Sequence, residues 1–148
     1  MATPSYPLRD PVGNYNFTVE IGSVIQGNFK EMSGLSASRA VNDYREGHEA
    51  TLQPRKLPGL RSLSNITLKR GMVDGKEMWS WFEKKRNDDG FRQDIDLVVF
   101  DDHFEEVVRW TLKGAWCVRW SAPSFDATST ALAMEELEIA FNDIALVQ

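Results

Sequence analysis

Tyr15-Asn16-Phe17-Thr18-Val19-Glu20-Ile21 places Tyr15, Phe17, Val19 and Ile21 on one side of an extended chain and Asn16, Thr18 and Glu20 on the other. A period of two marks a strand with one face on a core and one in water. The same alternation returns in Asn65-Ile66-Thr67-Leu68-Lys69-Arg70. It recurs where Ile95, Leu97 and Val99 alternate with Asp94, Asp96, Val98 and Phe100, and again where Trp116, Val118 and Trp120 alternate with Cys117 and Arg119. Gly22-Ser23 turns the chain after the first strand. Further extended pieces, Val24 to Met32 and Leu35 to Val41, separated by Gly34, then read as an antiparallel meander. Asp101-Asp102-His103 supplies turn residues for a long hairpin whose return runs from Val107 to Leu112, and Pro123 ends the later run. The chain is mainly β.

One helix interrupts this pattern. Asp74 followed by Glu77 has capping-box spacing, Met78, Trp81, Phe82 and Lys85 share one face, and the Asn87 to Gly90 stretch stops it. Aromatics at this spacing (Trp79, Trp81 and Phe82) point to a helix docked on the sheet rather than to a ligand cage. The stretch from Ala131 to Phe141 fits neither template cleanly. Its Ala, Leu, Met and Glu content favours a helix, while Leu137, Ile139 and Phe141 against Glu136 and Glu138 favour a strand.

Two segments resist a periodic reading. Residues 1–14 carry Pro4, Pro7, Pro11 and Gly13 and read as an extended arm. Residues 43–64 are punctuated by Gly47, Pro54, Pro58 and Gly59, and loops longer than ~12–15 residues are uncommon unless functional or disordered. Leu52, Leu57, Leu60 and Leu63 make this segment more apolar than a solvated linker. It reads as a loop that orders on a partner, with a floppy connection or an unrecognised strand pair as the alternatives.

With 148 residues, 42% of them hydrophobic, and a net charge of −5, the chain has the composition of one globular domain, residues 1–148. No apolar run approaches the ~20 residues of a membrane span, and no export signal is visible at the start. A single Cys117 with only His48 and His103 beside it excludes an internal disulfide and a Cys/His zinc cluster. Asp94 and Asp96 would share a strand face, as an acid/base or metal pair requires, but a solvated face explains them. Asp101, Asp102 and His103 are explained by turn chemistry. Neither phosphate-loop nor dinucleotide-loop spacing occurs, and no nucleophile elbow is present. Arg109-Trp110 and Arg119-Trp120 interleave bases with aromatics as single-strand binders do. Neighbours on a strand point to opposite sides, however, so outer face and core face is the simpler reading. No cofactor, no metal and no catalytic residue is expected. Polar-faced strands, a punctuated loop and a free arm are features of assembly, because open strand edges invite pairing with other chains.

The chain resembles the inner-tube proteins of contractile phage tails and of phage-tail-like extracellular contractile injection systems. The resemblance is carried, in family order, by Asn16-Phe17-Thr18-Val19-Glu20-Ile21, Glu31-Met32-Ser33-Gly34-Leu35 and Asp43-Tyr44-Arg45-Glu46-Gly47. Leu57-Pro58-Gly59, the run from Ser64 to Gly71 and the run from Ala122 to Ser129 complete it. It implies an α+β tail-tube fold that is mainly β: two packed antiparallel β-sheets forming a β-sandwich or barrel with one flanking α-helix. It also favours a strand for Met134 to Phe141.

Functionally, the resemblance implies a structural subunit rather than an enzyme. Six copies form a ring, rings stack into a tube inside a contractile sheath, and baseplate and tube-terminating proteins are further partners. Cargo or DNA passes through the lumen, with no membrane anchor. Assembly in the cytoplasm and release with the particle are implied as well. The segment from Asp43 to Leu63 reaches into ring contacts, which makes Tyr44, Arg45, Glu46, Leu57, Pro58 and Gly59 the expected assembly residues. Glu136 and Glu138, or Asp94 and Asp96, are candidates for an acidic lumen. Two alternatives stand beside this reading: a type VI secretion-like ring protein, and a monomeric ligand-binding or hydrolytic β-barrel.

Overall fold

A computed structural model describes residues 11–22, 25–27, 29–72 and 76–147. In chain order the described elements are β1 (Phe17–Ile21), β2 (Ile25–Gly27), β3 (Glu31–Ser33), β4 (Ala37–Tyr44), β5 (Arg55–Leu63), β6 (Ile66–Gly71), α1 (Glu77–Asn87), β7 (Gln93–Phe100), β8 (Glu106–Ser121), β9 (Met134–Ala140) and β10 (Asp143–Leu146). Every pairing is antiparallel.

β8 organises the molecule. Its first half pairs with β7 on one side and β10 on the other, while its second half pairs with β9, so one strand serves two sheets. The bend falls at Gly114, whose φ of 66° is a left-handed conformation that costs a residue with a Cβ roughly 1–2 kcal/mol. The path runs β2-β1-β7-β8-β9-β6-β3 and stays open, so the chain is a sandwich and does not close a barrel by itself. Val19, Ile21, Ile95 and Leu97 from one sheet meet Ile66, Leu68, Leu137 and Ile139 from the other in a single buried cluster. Each fully buried aliphatic side chain contributes about 1.5–3 kcal/mol, which is what holds the two sheets together.

The helix docks as its spacing predicts, with Met78 and Trp81 buried and Phe82 against the core. The Trp81 indole N–H donates to Gln93 Oε1 at 2.9 Å, and Trp79 stands edge-on to Trp120 with ring centroids 4.9 Å apart. The proposed cap Asp74 lies outside the described residues. Lys76 occupies the N-cap position without a side-chain cap.

The structure revises several expectations. β1 begins at Phe17, because Tyr15 turns outward to 64% exposure and its hydroxyl donates to Asp102. Of the expected meander only the first step holds: β1 pairs with β2 and also with β7, while β3 crosses to β6 in the other sheet, bringing Met32 to the core from the opposite side, and β4 pairs with β5. Val107 to Leu112 and Trp116 to Trp120 are one strand of 16 residues. Residues 43–64 are not an irregular loop throughout, since β5 fills their second half and pairs with β4. Their apolar residues matched no period because, Leu63 at its foot apart, this strand pair lays no side on the core.

Candidate assembly surface

β4 and β5 form a two-stranded ribbon that shares no ladder with the main sheet. All eight residues of β4 are exposed, and β5 is exposed apart from Gly59 and Leu63, which are half-buried. An isolated hairpin is at best marginally stable in water, so a ribbon of this length needs contacts beyond its own hydrogen bonds.

Its foot and tip supply some of these contacts. At the foot, Ser36 and Ser64 hydroxyls lie 2.6 Å apart, Ser38 and Ser62 2.8 Å apart, and Leu63 packs against the core. At the tip, the Arg45 guanidinium donates to the Thr51 carbonyl at 2.9 Å and to the Glu49 carbonyl at 3.2 Å, folding the connection onto itself. Arg55 pairs with Glu49 at 3.0 Å and stacks over Tyr44, whose hydroxyl donates to Glu46. Between foot and tip, the register shifts at Arg39/Val41, beside the point where Gly59 lets the strands approach. A Cβ on Gly59 would lie 3.0 Å from the Ala40 carbonyl oxygen.

The six expected assembly residues therefore separate into two groups. Tyr44, Leu57, Pro58 and Gly59 lie on the ribbon strands, with Tyr44 and Leu57 well exposed. Arg45 and Glu46 are half-buried in the connection and spend their polar atoms shaping it. Leu60, one of the leucines that make the segment too apolar for a linker, is 86% exposed, and sequence reasoning missed its neighbour in the apolar presentation, Val41, at 61%. No periodic signal could have found them, because a strand bare on both faces has no period.

The acidic candidates are occupied structurally. Asp96 accepts from Thr111 Oγ1 at 2.7 Å and from Arg109 at 3.1 Å, and Asp94 accepts the Gly114 amide at 3.1 Å. Asp101 accepts the His103 and Glu105 amides, both at 2.9 Å, as a turn residue does. Arg119 binds Glu136 and Glu138, each at 3.2 Å, on the outer face of the second sheet. Hydrogen bonds from Asn65 and Arg119 hold the Glu138 carboxyl below the usual carboxylate range. Burial pushes the Cys117 thiol up to about 12, far from a nucleophile's range. Among the described residues, no three metal-ligating side chains come together.

A family model of the T4-like virus tail tube protein gp19 matches residues 13–145. No curated protein matches. Among solved structures, the chain is similar to the anti-feeding prophage cap, the AFP tube-terminating cap, at 28% identity and TM-score 0.85, covering 99% of this chain and 98% of that one. It is also similar to the PVC sheath-tube complex of an extracellular contractile injection system in the extended state. That match has 29% identity and TM-score 0.81, and covers 92% and 90% of the two chains. Hcp1 from Flavobacterium johnsoniae shares the fold at 14% identity and TM-score 0.58, covering 90% and 95%.

Proposed function

The chain belongs to the T4-like virus tail tube protein family, and from that premise we propose that it is the repeating subunit of the inner tube of a contractile injection system or contractile phage tail. Six copies close into a ring, and rings stack into a hollow tube through which cargo or DNA passes. A contractile sheath surrounds the tube, and baseplate and tube-terminating proteins cap its ends. The particle assembles in the cytoplasm and leaves with the tube inside it. The chain acts as one tube domain, with 43–64 as the inter-subunit segment; most of the expected arm, residues 1–10, lies outside the described residues.

The observation that carries this reading is the ribbon: 17 residues in two strands with almost no buried side chain. A monomeric binding or hydrolytic barrel has no use for such an element, whereas a subunit finished by its neighbours does. Tyr44, Arg45, Glu46, Leu57, Pro58 and Gly59 are its proposed contact residues, with Arg45 and Glu46 acting by holding the tip. The type VI ring alternative rests on a likeness of fold alone.

Sedimentation velocity of tag-free protein over a concentration series tests the proposal. Particles much heavier than the 16.8 kDa chain, growing with concentration, are the expected result. A single 16.8 kDa species at every concentration would overturn it.

A further inference from the structure

Charge is divided unevenly along this chain. Residues 37–63 carry five cationic side chains (Arg39, Arg45, Arg55, Lys56 and Arg61) and three carboxylates (Asp43, Glu46 and Glu49), a net of +2. The total of −5 therefore leaves −7 on the remainder. On the ribbon, Arg39 and Arg61 stand directly opposite each other in the β4–β5 register, both exposed, with no ion-pair partner among the described residues. Like charges in that position repel across the ladder. Beneath them Arg61, Leu63, Phe141, Asn142 and Asp143 line a cleft of about 380 Å³ at the ribbon's foot. The Asp143 carboxylate accepts the Ile144 amide.

The β7–β8 turn has the opposite character. Asp101, Asp102, Glu105 and Glu106 flank Phe104 in the chain; Phe104 is 74% exposed and its φ is +60°. A bulky residue in the left-handed region is strained, and such strain persists where the surroundings hold it for a purpose. Arg109 compensates Glu106, while Asp102 and Glu105 remain exposed with no cation paired to them among the described residues.

We propose that the β7–β8 turn of one copy docks in the ribbon-foot cleft of a second copy, with Phe104 entering beside Leu63 and Phe141 and the Asp102 and Glu105 carboxylates meeting Arg61 and Arg39. The contact joins two different surfaces of the same chain, so it runs head to tail and repeats from copy to copy. Charge complementarity selects the partner, and the aromatic ring fills the cleft. This inference rests on the self-assembly reading and names the surface that the ribbon's foot engages.

Charge exchange tests it. R39E/R61E and D102K/E105K should each raise the concentration needed for assembly at least ~10-fold, and the quadruple variant should recover most of that loss. Raising salt should weaken wild-type assembly and leave F104G, in which the aromatic anchor is gone, defective at any salt. F104G should melt no lower than wild type, because glycine accepts the left-handed conformation without strain. A quadruple variant as defective as the doubles overturns the proposal, as does F104G assembling at the wild-type concentration. Variants that all assemble as the wild type does overturn it too. A wild-type chain that never assembles overturns the tube reading itself.

Discussion

Gly114 is the residue on which the two-sheet architecture turns. Its left-handed φ bends β8 between its β7 half and its β9 half, and a Cβ there would sit 2.9 Å from the Asn142 side-chain nitrogen. Gly114→Ala should cost about 1–2 kcal/mol, read as a lower urea midpoint at unchanged slope. A change within error would mean that the bend does not depend on glycine. Leu68, fully buried between the sheets, makes the contrasting case: Leu68→Ala should cost about 2–5 kcal/mol by the same measurement. The Glu138 carboxyl sets a pH dependence. Asn65 and Arg119 hold it below its ordinary value of 4.5, so the folded chain binds fewer protons than the unfolded one in that range. The contribution is in place above about pH 4.5 and is lost as pH falls through the depressed value. Glu138→Gln should therefore show a shallower fall of melting temperature in acid than wild type, and the difference should be small, because the half-buried group still meets solvent, which screens it. Parallel curves for the two proteins would refute the assignment.

At the scale of elements, the ribbon is the part whose loss should separate folding from assembly. Its two strands share no ladder with the main sheet, and its tip is closed by Arg45, Glu49 and Arg55 within the ribbon itself. Deleting Arg45 to Arg61 should leave a folded body with a near-wild-type circular dichroism spectrum and abolish ring stacking. Tubes of wild-type length from that deletion would remove the ribbon from the assembly. The same element shows where sequence reading stops. β1, β6 and β7 were legible because each lays one face on the core, so burial writes a period of two into Val19 and Ile21, Ile66 and Leu68, or Ile95 and Leu97. β9 was only half legible: Leu137 and Ile139 alternate, but the helix-favouring Ala, Leu, Met and Glu content left the segment open until the family resemblance favoured a strand. α1 was legible for the corresponding reason at a helical period. β5 was not, since a strand exposed on both sides leaves its residues free of any pattern, and Pro58 and Gly59 within it resemble turn signals. The continuity of β8 was hidden as well, because Gly114 breaks the alternation where the strand changes sheets. Of the expected assembly residues, family resemblance supplied all six; periodicity could locate none of them. The Arg39–Arg61 opposition depends on a cross-strand register that no linear reading contains.

Across the whole molecule, the backbone is left unfinished at its borders. Among the described residues, β2 and β3 end the main path, β10 lies off it against β8, and the ribbon carries two bare edges. Such edges promote uncontrolled association unless a defined partner covers them, and a closed ring of identical copies is the arrangement that removes them without a second protein. The most direct measurement is negative-stain microscopy of the concentrated, tag-free chain. Hollow tubes of stacked rings with six-fold end views are the predicted result, and a field of separate 16.8 kDa particles at the same concentration would contradict it.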